Sequence, residues 1–266
     1  MSRPLEAGER VLLIDAKDRR YLVTLQAGGS FHTHAGIVAH DDVIGCEEGT
    51  LVSGAGSERR FLVLRPTFAD IVLKMPRGAQ VIYPKDLGAI LMRADIGPGQ
   101  RVFEAGVGSG ALSMALLRAG AQVHAYELRE DFAQHARRNV EAFLGPDVPY
   151  TIEIRDATEG IDEQDLDRVL LDLPEPWGVV EHAARALRPG GIFLSYLPTI
   201  NQVQRLREAL VAHRFGHLET VEVLERSWHI DGRSVRPDHR MVAHTGFLTT
   251  ARCLGREAAS PVSPAR

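Results

Sequence analysis

The chain predicts a doubly wound α/β domain, with a mostly parallel sheet covered on both faces, behind a small β-rich N-terminal domain. Three observations predict it. From Tyr83 onward, short apolar runs alternate with stretches of helical spacing, the pattern of strands joined by crossover helices. A Gly-rich turn at Glu104–Leu112 follows one such strand and opens a helix. Before residue 67, short strand-like runs are separated by polar and Gly-rich turns.

Val11–Asp15 and Arg20–Leu25 read as strands around the polar turn 16–19, and Ala27–Ser30 is a second turn signal. Arg59–Pro66 is a further strand, and Thr67–Met75 a short helix stopped by Pro76. Pro84–Ala94 is a helix with proline at its start. The turn Gly97-Pro98-Gly99 leads into strand Arg101–Ala105, then helix Leu112–Ala119 and strand Ala121–Glu127. Helix Glu130–Phe143 places Phe132, Ala136, Val140 and Phe143 on one face. Strands Tyr150–Arg155 and Asp167–Leu173, helix Trp177–Leu187, strand Gly191–Pro198 and helix Ile200–Ala212 follow. Two last strands fall near Leu218–Trp228 and Val242–Ala251. The organisation expected is therefore an N-terminal domain over 1–66, the α/β domain over 67–254, and a disordered small-residue and proline tail over 255–266.

Composition bounds the function. At 266 residues, 44% hydrophobic and 25% charged, the chain is an ordinary soluble protein with room for one large domain or a main domain and a smaller one. It shows no apolar run of bilayer length and no secretory leader. Cys46 and Cys253 form no CxxC pair, which argues against a disulfide framework or zinc site and for a cytoplasmic protein. The net charge of −4 is no bar to a nucleic-acid enzyme, since phosphate contact needs only a local basic patch. Arg226–Arg240 is such a stretch, rich in Arg and His.

The glycine turn, Glu104-Ala-Gly106-Val-Gly108-Ser109-Gly110-Ala111-Leu112, allows close backbone approach to a ligand at a helix N-terminus. Glu127 ends the next strand, where a carboxylate can accept from both hydroxyls of a ribose. Dinucleotide and S-adenosylmethionine enzymes share these features. Glu104 favours the second, because an acid there repels a pyrophosphate and suits a cationic sulfonium–amino-acid ligand. Asp156 ends the third strand, where it can accept from an adenine amino group. Asp172-Leu-Pro-Glu-Pro-Trp177 ends the fourth, at the carboxyl edge of the sheet, and resembles the Asp/Asn-Pro-Pro-aromatic loop of methyltransferases acting on exocyclic amines of bases.

Five blocks carry a closer resemblance: FHTHAGIVAHDDVIG (31–45), MPRGAQVIYPKDLGAI (75–90), EAGVGSGALS, LDLPEPW and RPDHRMVAHTGFL (236–248). The second and fourth are far more specific than the glycine loop. Together they resemble tRNA (adenine-N1)-methyltransferases of the type that modifies adenine 58 in the T loop, and they span most of the chain outside the tail. The link between the first helix of the α/β domain and Ala121 is shorter than in many relatives, which should alter only a loop. The resemblance implies a Rossmann-like class I methyltransferase fold, S-adenosylmethionine as cofactor with S-adenosylhomocysteine as product, a homotetramer that binds tRNA, and no metal. Glu104, Gly106, Gly108, Ser109, Gly110, Ala111, Leu112, Glu127, Asp156 and Asp172 are the cofactor-binding candidates. Asp172 is also the catalytic candidate, to stabilise the charge that develops on the base, with Tyr83 stacking on or positioning that base. His32, His34 and His40 have the spacing of a metal cluster, a reading the resemblance does not support. Rival functions are a non-catalytic tRNA-binding paralogue, an NAD-dependent oxidoreductase, a small-molecule methyltransferase and an enzyme that also modifies adenine 57.

Overall fold

The computed structural model describes residues 3–34, 36–54, 59–76, 78 and 80–255; the expected disordered tail lies, from residue 256 on, outside the described residues. The chain forms two compact units, Met1–Met75 and Pro76–Arg266.

In the first unit, β1 (Arg10–Asp15), β2 (Arg20–Thr24), β5 (Leu51–Ser53) and β6 (Arg60–Leu64) make an antiparallel sheet of order β2-β1-β6-β5, and β3 (Ser30–Thr33) pairs with β4 (Gly36–Ala39) in a separate hairpin. Val11, Leu13, Val23, Val38, Phe61 and Val63 build its core. A short helix, α1 (Phe68–Lys74), is started by a reciprocal cap in which Thr67 and Asp70 each satisfy the other's backbone N–H. Helix α1 belongs to this unit, with Arg20 bonded to Asp70, so the division falls after Met75 rather than at Pro66.

The second unit carries a seven-stranded sheet. Its strands are β7 (Arg101–Ala105), β8 (Gln122–Glu127), β9 (Tyr150–Ile154), β10 (Leu166–Leu171), β11 (Leu187–Leu197), β12 (Phe215–Glu222) and β15 (Phe247–Cys253), in the order β12-β15-β11-β10-β7-β8-β9. Neighbours from β11 to β9 pair in parallel, and only β15 runs against both of its neighbours. The helices are α2 (Pro84–Arg93), α3 (Ala111–Arg118), α4 (Glu130–Leu144), α5 (Val180–Ala186) and α6 (Ile200–Ala212). Seven consecutive residues of α3, Ala111–Leu117, are buried, as their near-continuous apolar character demands. Helix α4 buries Ala133, Ala136, Asn139 and Val140. Phe132 and Phe143 are only half-buried at the edge of that face, so the buried stripe is narrower than the spacing of its aromatic residues suggests. A hairpin, β13 (Trp228–Asp231) with β14 (Ser234–Pro237), stands outside the main sheet within the basic stretch Arg226–Arg240, and the strand expected near Leu218–Trp228 ends at Glu222 as β12.

One buried ion anchors the sheet on the edge away from the site. Arg168 on β10 is 2% exposed. It donates to the carbonyls of Ala94, Asp95 and Asp167 and to the Asp95 carboxylate. Replacing it by methionine keeps the volume but leaves those carbonyls without a partner. Arg168→Met is expected to lower unfolding free energy by about 2–4 kcal/mol in urea titrations with cofactor affinity retained; a loss below ~1 kcal/mol would contradict the anchoring role.

Candidate active site

The strand order reverses between β10 and β7, because the chain runs outward through β8 and β9 before returning to β10. In an open α/β sheet the crevice at that reversal, beyond the carboxyl ends of the strands, is the ligand site. A cleft of about 320 Å3 opens there, lined by Ala105, Gly106, Tyr126, Glu127, Leu128, Arg155, Asp156, Ala157, Thr158 and Leu173–Glu175. It brings together the ends of four consecutive parallel strands.

Gly106 has φ +84°, and a Cβ on it would lie 2.1 Å from the carbonyl oxygen of Asp172. Glycine therefore lets the β7 and β10 ends converge, and the Asp172 N–H donates to Ala105 O at 2.9 Å. Gly110, φ +84°, precedes α3, and a side chain there would press on Ala136 of α4. Ser109, Ala111 and Leu112 are buried, with Ala111 and Leu112 in the first turn of α3. Asn139 clamps the loop from below, its amide donating to Ser109 O at 2.9 Å and Pro76 O at 3.2 Å. Asn139 was missed as a site residue; a polar residue within the buried stripe of an amphipathic helix was the available signal.

Four acidic side chains stand at this edge of the sheet: Glu127, Glu104, Asp172 and Asp156. Glu127 Oε2 accepts from the N–H groups of Val107 and Gly108, at 3.0 and 3.1 Å, and Oε1 from Arg129 N–H at 3.0 Å. Glu104 is fully buried: Oε2 accepts from Ser113 Oγ at 2.7 Å, Ser113 Oγ bonds Tyr150 Oη at 3.1 Å, and Oε1 has no partner. Burial, followed by the charges of Asp172 and Glu127, pushes the Glu104 carboxyl up to about 8. Burial and the Glu127 charge push Asp172 up to about 7. Asp156 Oδ1 accepts from the N–H and hydroxyl of Thr158, at 2.8 and 2.7 Å, which holds the acid below its usual range.

Tyr83 is half-buried at the start of α2. Tyr196, not singled out from the sequence, is Asp172's neighbour on the adjoining strand, one residue past the Leu171–Ser195 pair. Burial pushes its hydroxyl up to about 12, and Asp86, Asp172 and Tyr83 all act on it. The three histidines do not converge. His32 bonds Ser30, His34 bonds Arg19, and His40 takes the Gln26 N–H.

The arrangement suits a cation. Loop N–H groups that would cradle a pyrophosphate in a dinucleotide enzyme are here capped by the Glu127 carboxylate. A doubly wound sheet with this cleft defines a class I methyltransferase of the S-adenosylmethionine-dependent type.

Comparison with known proteins narrows the class. The chain belongs to the family described as the tRNA methyltransferase complex GCD14 subunit, whose model matches residues 61–235, and residues 4–52 match the TrmI-like N-terminal family. It is 39% identical to the tRNA (adenine(58)-N(1))-methyltransferase TrmI of Thermus thermophilus, over 91% of this chain and 96% of that one. It is 38% identical to the TrmI of Methanocaldococcus jannaschii, named for adenine 57 and adenine 58, over 91% of this chain and 94% of the other. Among solved structures it resembles one titled a SAM-dependent O-methyltransferase from Thermotoga maritima, with TM-score 0.91, 36% identity and 96% of each chain covered.

Proposed function

We propose that this protein methylates N1 of adenine 58 in the T loop of tRNA with S-adenosylmethionine, releasing S-adenosylhomocysteine. The observation that carries the reading is the position of Asp172, at the reversal of strand order and tied to the end of β7 by its N–H bond to Ala105 O, in a chain of this family. When bound, the cofactor supplies an electrophilic methyl group. Glu127 would hold its ribose and Asp156 its adenine, and Glu104, through the loop Gly106–Leu112, would favour its cationic end. Adenine N1 has an in-plane lone pair and needs no base, so the protein's task is positioning. Asp172 stabilises the positive charge the ring acquires and accepts a hydrogen bond from the exocyclic amine. Tyr83 positions the base, which must leave the T loop to reach the cleft.

The basic residues Arg226, Arg233, Arg236 and Arg240 about the β13–β14 hairpin support phosphate contact. The hairpin also exposes Trp228, Ile230 and Val235, at 57%, 73% and 59%, which supports burial against further copies in a homotetramer. A cytoplasmic location fits a tRNA substrate and the free Cys46 and Cys253.

The test is transfer of labelled methyl to unmodified tRNA transcripts, with the product nucleoside identified by mass spectrometry. 1-Methyladenosine that disappears when adenine 58 is replaced is the expected result. Label surviving that replacement but lost with adenine 57 favours the second reading, suggested by the Methanocaldococcus relative; a 2′-O-methylated product or unlabelled tRNA would overturn the assignment. For the cofactor, Glu127→Ala removes both the ribose acceptor and the cap on the loop, and calorimetric affinity should weaken by about 1–3 kcal/mol. Unchanged affinity would refute the role.

A further inference from the structure

Residues 156–158 line the cleft where the connection from β9 to β10 begins. Beneath that wall stands a group of side chains that the reaction as described does not use. Tyr126 on β8 is 2% exposed, shares a core cluster with Ala157 and Ile161, and makes a T-shaped contact with Phe103. Its hydroxyl meets three residues of the connection. Arg155 Nη1 donates to it at 3.2 Å and the Asp162 N–H at 3.3 Å, and it donates to Glu163 Oε2 at 3.0 Å. Arg155 also grips the Asp162 carboxylate with both terminal nitrogens, Nη2 donating to Oδ1 at 2.9 Å. Its backbone N–H donates to Glu127 O at 3.1 Å.

Counting protons shows that the Tyr126 hydroxyl is saturated. A phenol oxygen has one hydrogen and two lone pairs. The Glu163 carboxylate has no proton to give, so it takes the hydrogen, and Arg155 and Asp162 fill the lone pairs. Burial pushes the hydroxyl up to about 12, so the hydrogen stays on it. The two ends of the stretch 156–161 are thereby tied to each other by the Arg155–Asp162 pair, and to the sheet through Tyr126. Asp156 stands at the head of this closed stretch. Its Oδ1 is held by the N–H and hydroxyl of Thr158, and its Oδ2 has no hydrogen bond among the described residues.

We propose that Tyr126, Arg155 and Asp162 form a clasp that holds Asp156 in one place and so makes the cleft select a nucleoside with an amine at purine position 6. Adenine presents a donor there, beside an unprotonated ring nitrogen. Hypoxanthine reverses the pair, with a carbonyl beside a ring N–H. A carboxylate fixed opposite position 6 pairs with adenine and repels hypoxanthine. One that can slide to the neighbouring ring position accepts the hypoxanthine N–H instead. Selectivity therefore depends on immobility as well as on charge. Tyr126, Arg155 and Asp162 are positioning residues that act through Asp156. The inference rests on the S-adenosylmethionine reading above and on the adenine role of Asp156 within it.

The test measures, by calorimetry, the dissociation constants of S-adenosylhomocysteine and S-inosylhomocysteine, which differ only along this edge of the purine. Their ratio is read in the wild type, Tyr126→Phe, Asp156→Ala and the double variant. Phenylalanine keeps the ring and removes the common partner of Arg155, Asp162 and Glu163. The preference for the adenosyl compound should fall about tenfold, the scale of one hydrogen bond. In the Asp156→Ala background the same change should leave the ratio where it is, because the two residues act as a unit. A wild-type preference in Tyr126→Phe, or an equal fall in the Asp156→Ala background, overturns the clasp while leaving the cofactor reading intact. A wild type without a preference, or a full preference in Asp156→Ala, overturns the clasp together with the adenine role of Asp156. A wild type that binds neither compound overturns the cofactor reading as well. Should Tyr126→Phe fail to fold, Asp162→Ala takes its place, since that side chain is exposed: the same fall supports the clasp, and an undiminished preference overturns it.

Discussion

Asp172→Asn is expected to cut methyl transfer at least about a thousandfold, the scale of losing one preorganised charge at the reacting centre, while making the cofactor-free protein more stable. The two effects share one cause. Burial and the neighbouring Glu127 hold the Asp172 carboxyl at about 7, against an ordinary value of 3.8. A carboxyl raised on folding opposes the folded state wherever the unfolded chain has already ionised. The penalty therefore sets in above about pH 4, grows to about pH 7 and stays constant beyond. Asparagine is neutral throughout, so at pH 8 its melting temperature should exceed the wild type's by about 3 °C or more. Near pH 3.5 the difference should vanish, and a bound cationic cofactor, which relieves the repulsion, should shrink it at pH 8. Scanning calorimetry of both proteins, with and without cofactor, measures all three. Near-normal turnover in Asp172→Asn would remove the carboxylate from the reaction; lost turnover with no gain in stability would mean that the charge is not destabilised.

The elements legible in the sequence are those whose signal is local. Strand β7 and helix α6 have the bounds their apolar patterns suggest, because a run buried on both faces and a long amphipathic stretch each declare themselves within a few residues. The glycine loop and the strand-end acids were legible for a related reason: in a parallel sheet every strand end reaches the same edge, so order along the chain predicts proximity. Strands β3, β4 and β5 were not called, being only three or four residues long and half exposed. The β13–β14 hairpin had a local sign that went unused, Asp231-Gly232 between Trp228–Ile230 and Val235, a strong short-range hairpin signal. Helix Trp177–Leu187 was expected as one piece, and a 3-10 turn at Pro176–Val179 comes first. The partners of Tyr126 were beyond sequence reasoning altogether: Arg155, Asp162 and Glu163 meet its hydroxyl only when β8 and β9 lie side by side.

Gly106→Ala is expected to damage both the fold and the site, and Gly99→Ala shows why by contrast. Both glycines have positive φ, +84° and +77°, so alanine at either carries the left-handed penalty of about 1–2 kcal/mol. Around Gly99 a new Cβ meets nothing within 4 Å, and that penalty should be the whole effect. At Gly106 the Cβ would lie 2.1 Å from the Asp172 oxygen and 2.8 Å from its carbonyl carbon. These are backbone atoms at the end of a central strand, tied back by the Asp172 N–H bond to Ala105 O at 2.9 Å, so no side-chain rotation relieves the clash. The strand ends must part, which displaces the Asp172 carbonyl and the loop N–H groups that Glu127 caps. Urea denaturation should show a loss at least ~2 kcal/mol beyond that of Gly99→Ala, since overpacking adds to the φ penalty. Calorimetry should show cofactor affinity down more than about tenfold, whereas Gly99→Ala retains it, because preorganised loop contacts are what the ligand meets. Matching losses in the two variants would mean that φ alone sets the requirement for glycine at 106, and that the convergence of β7 with β10 is not what shapes the cleft.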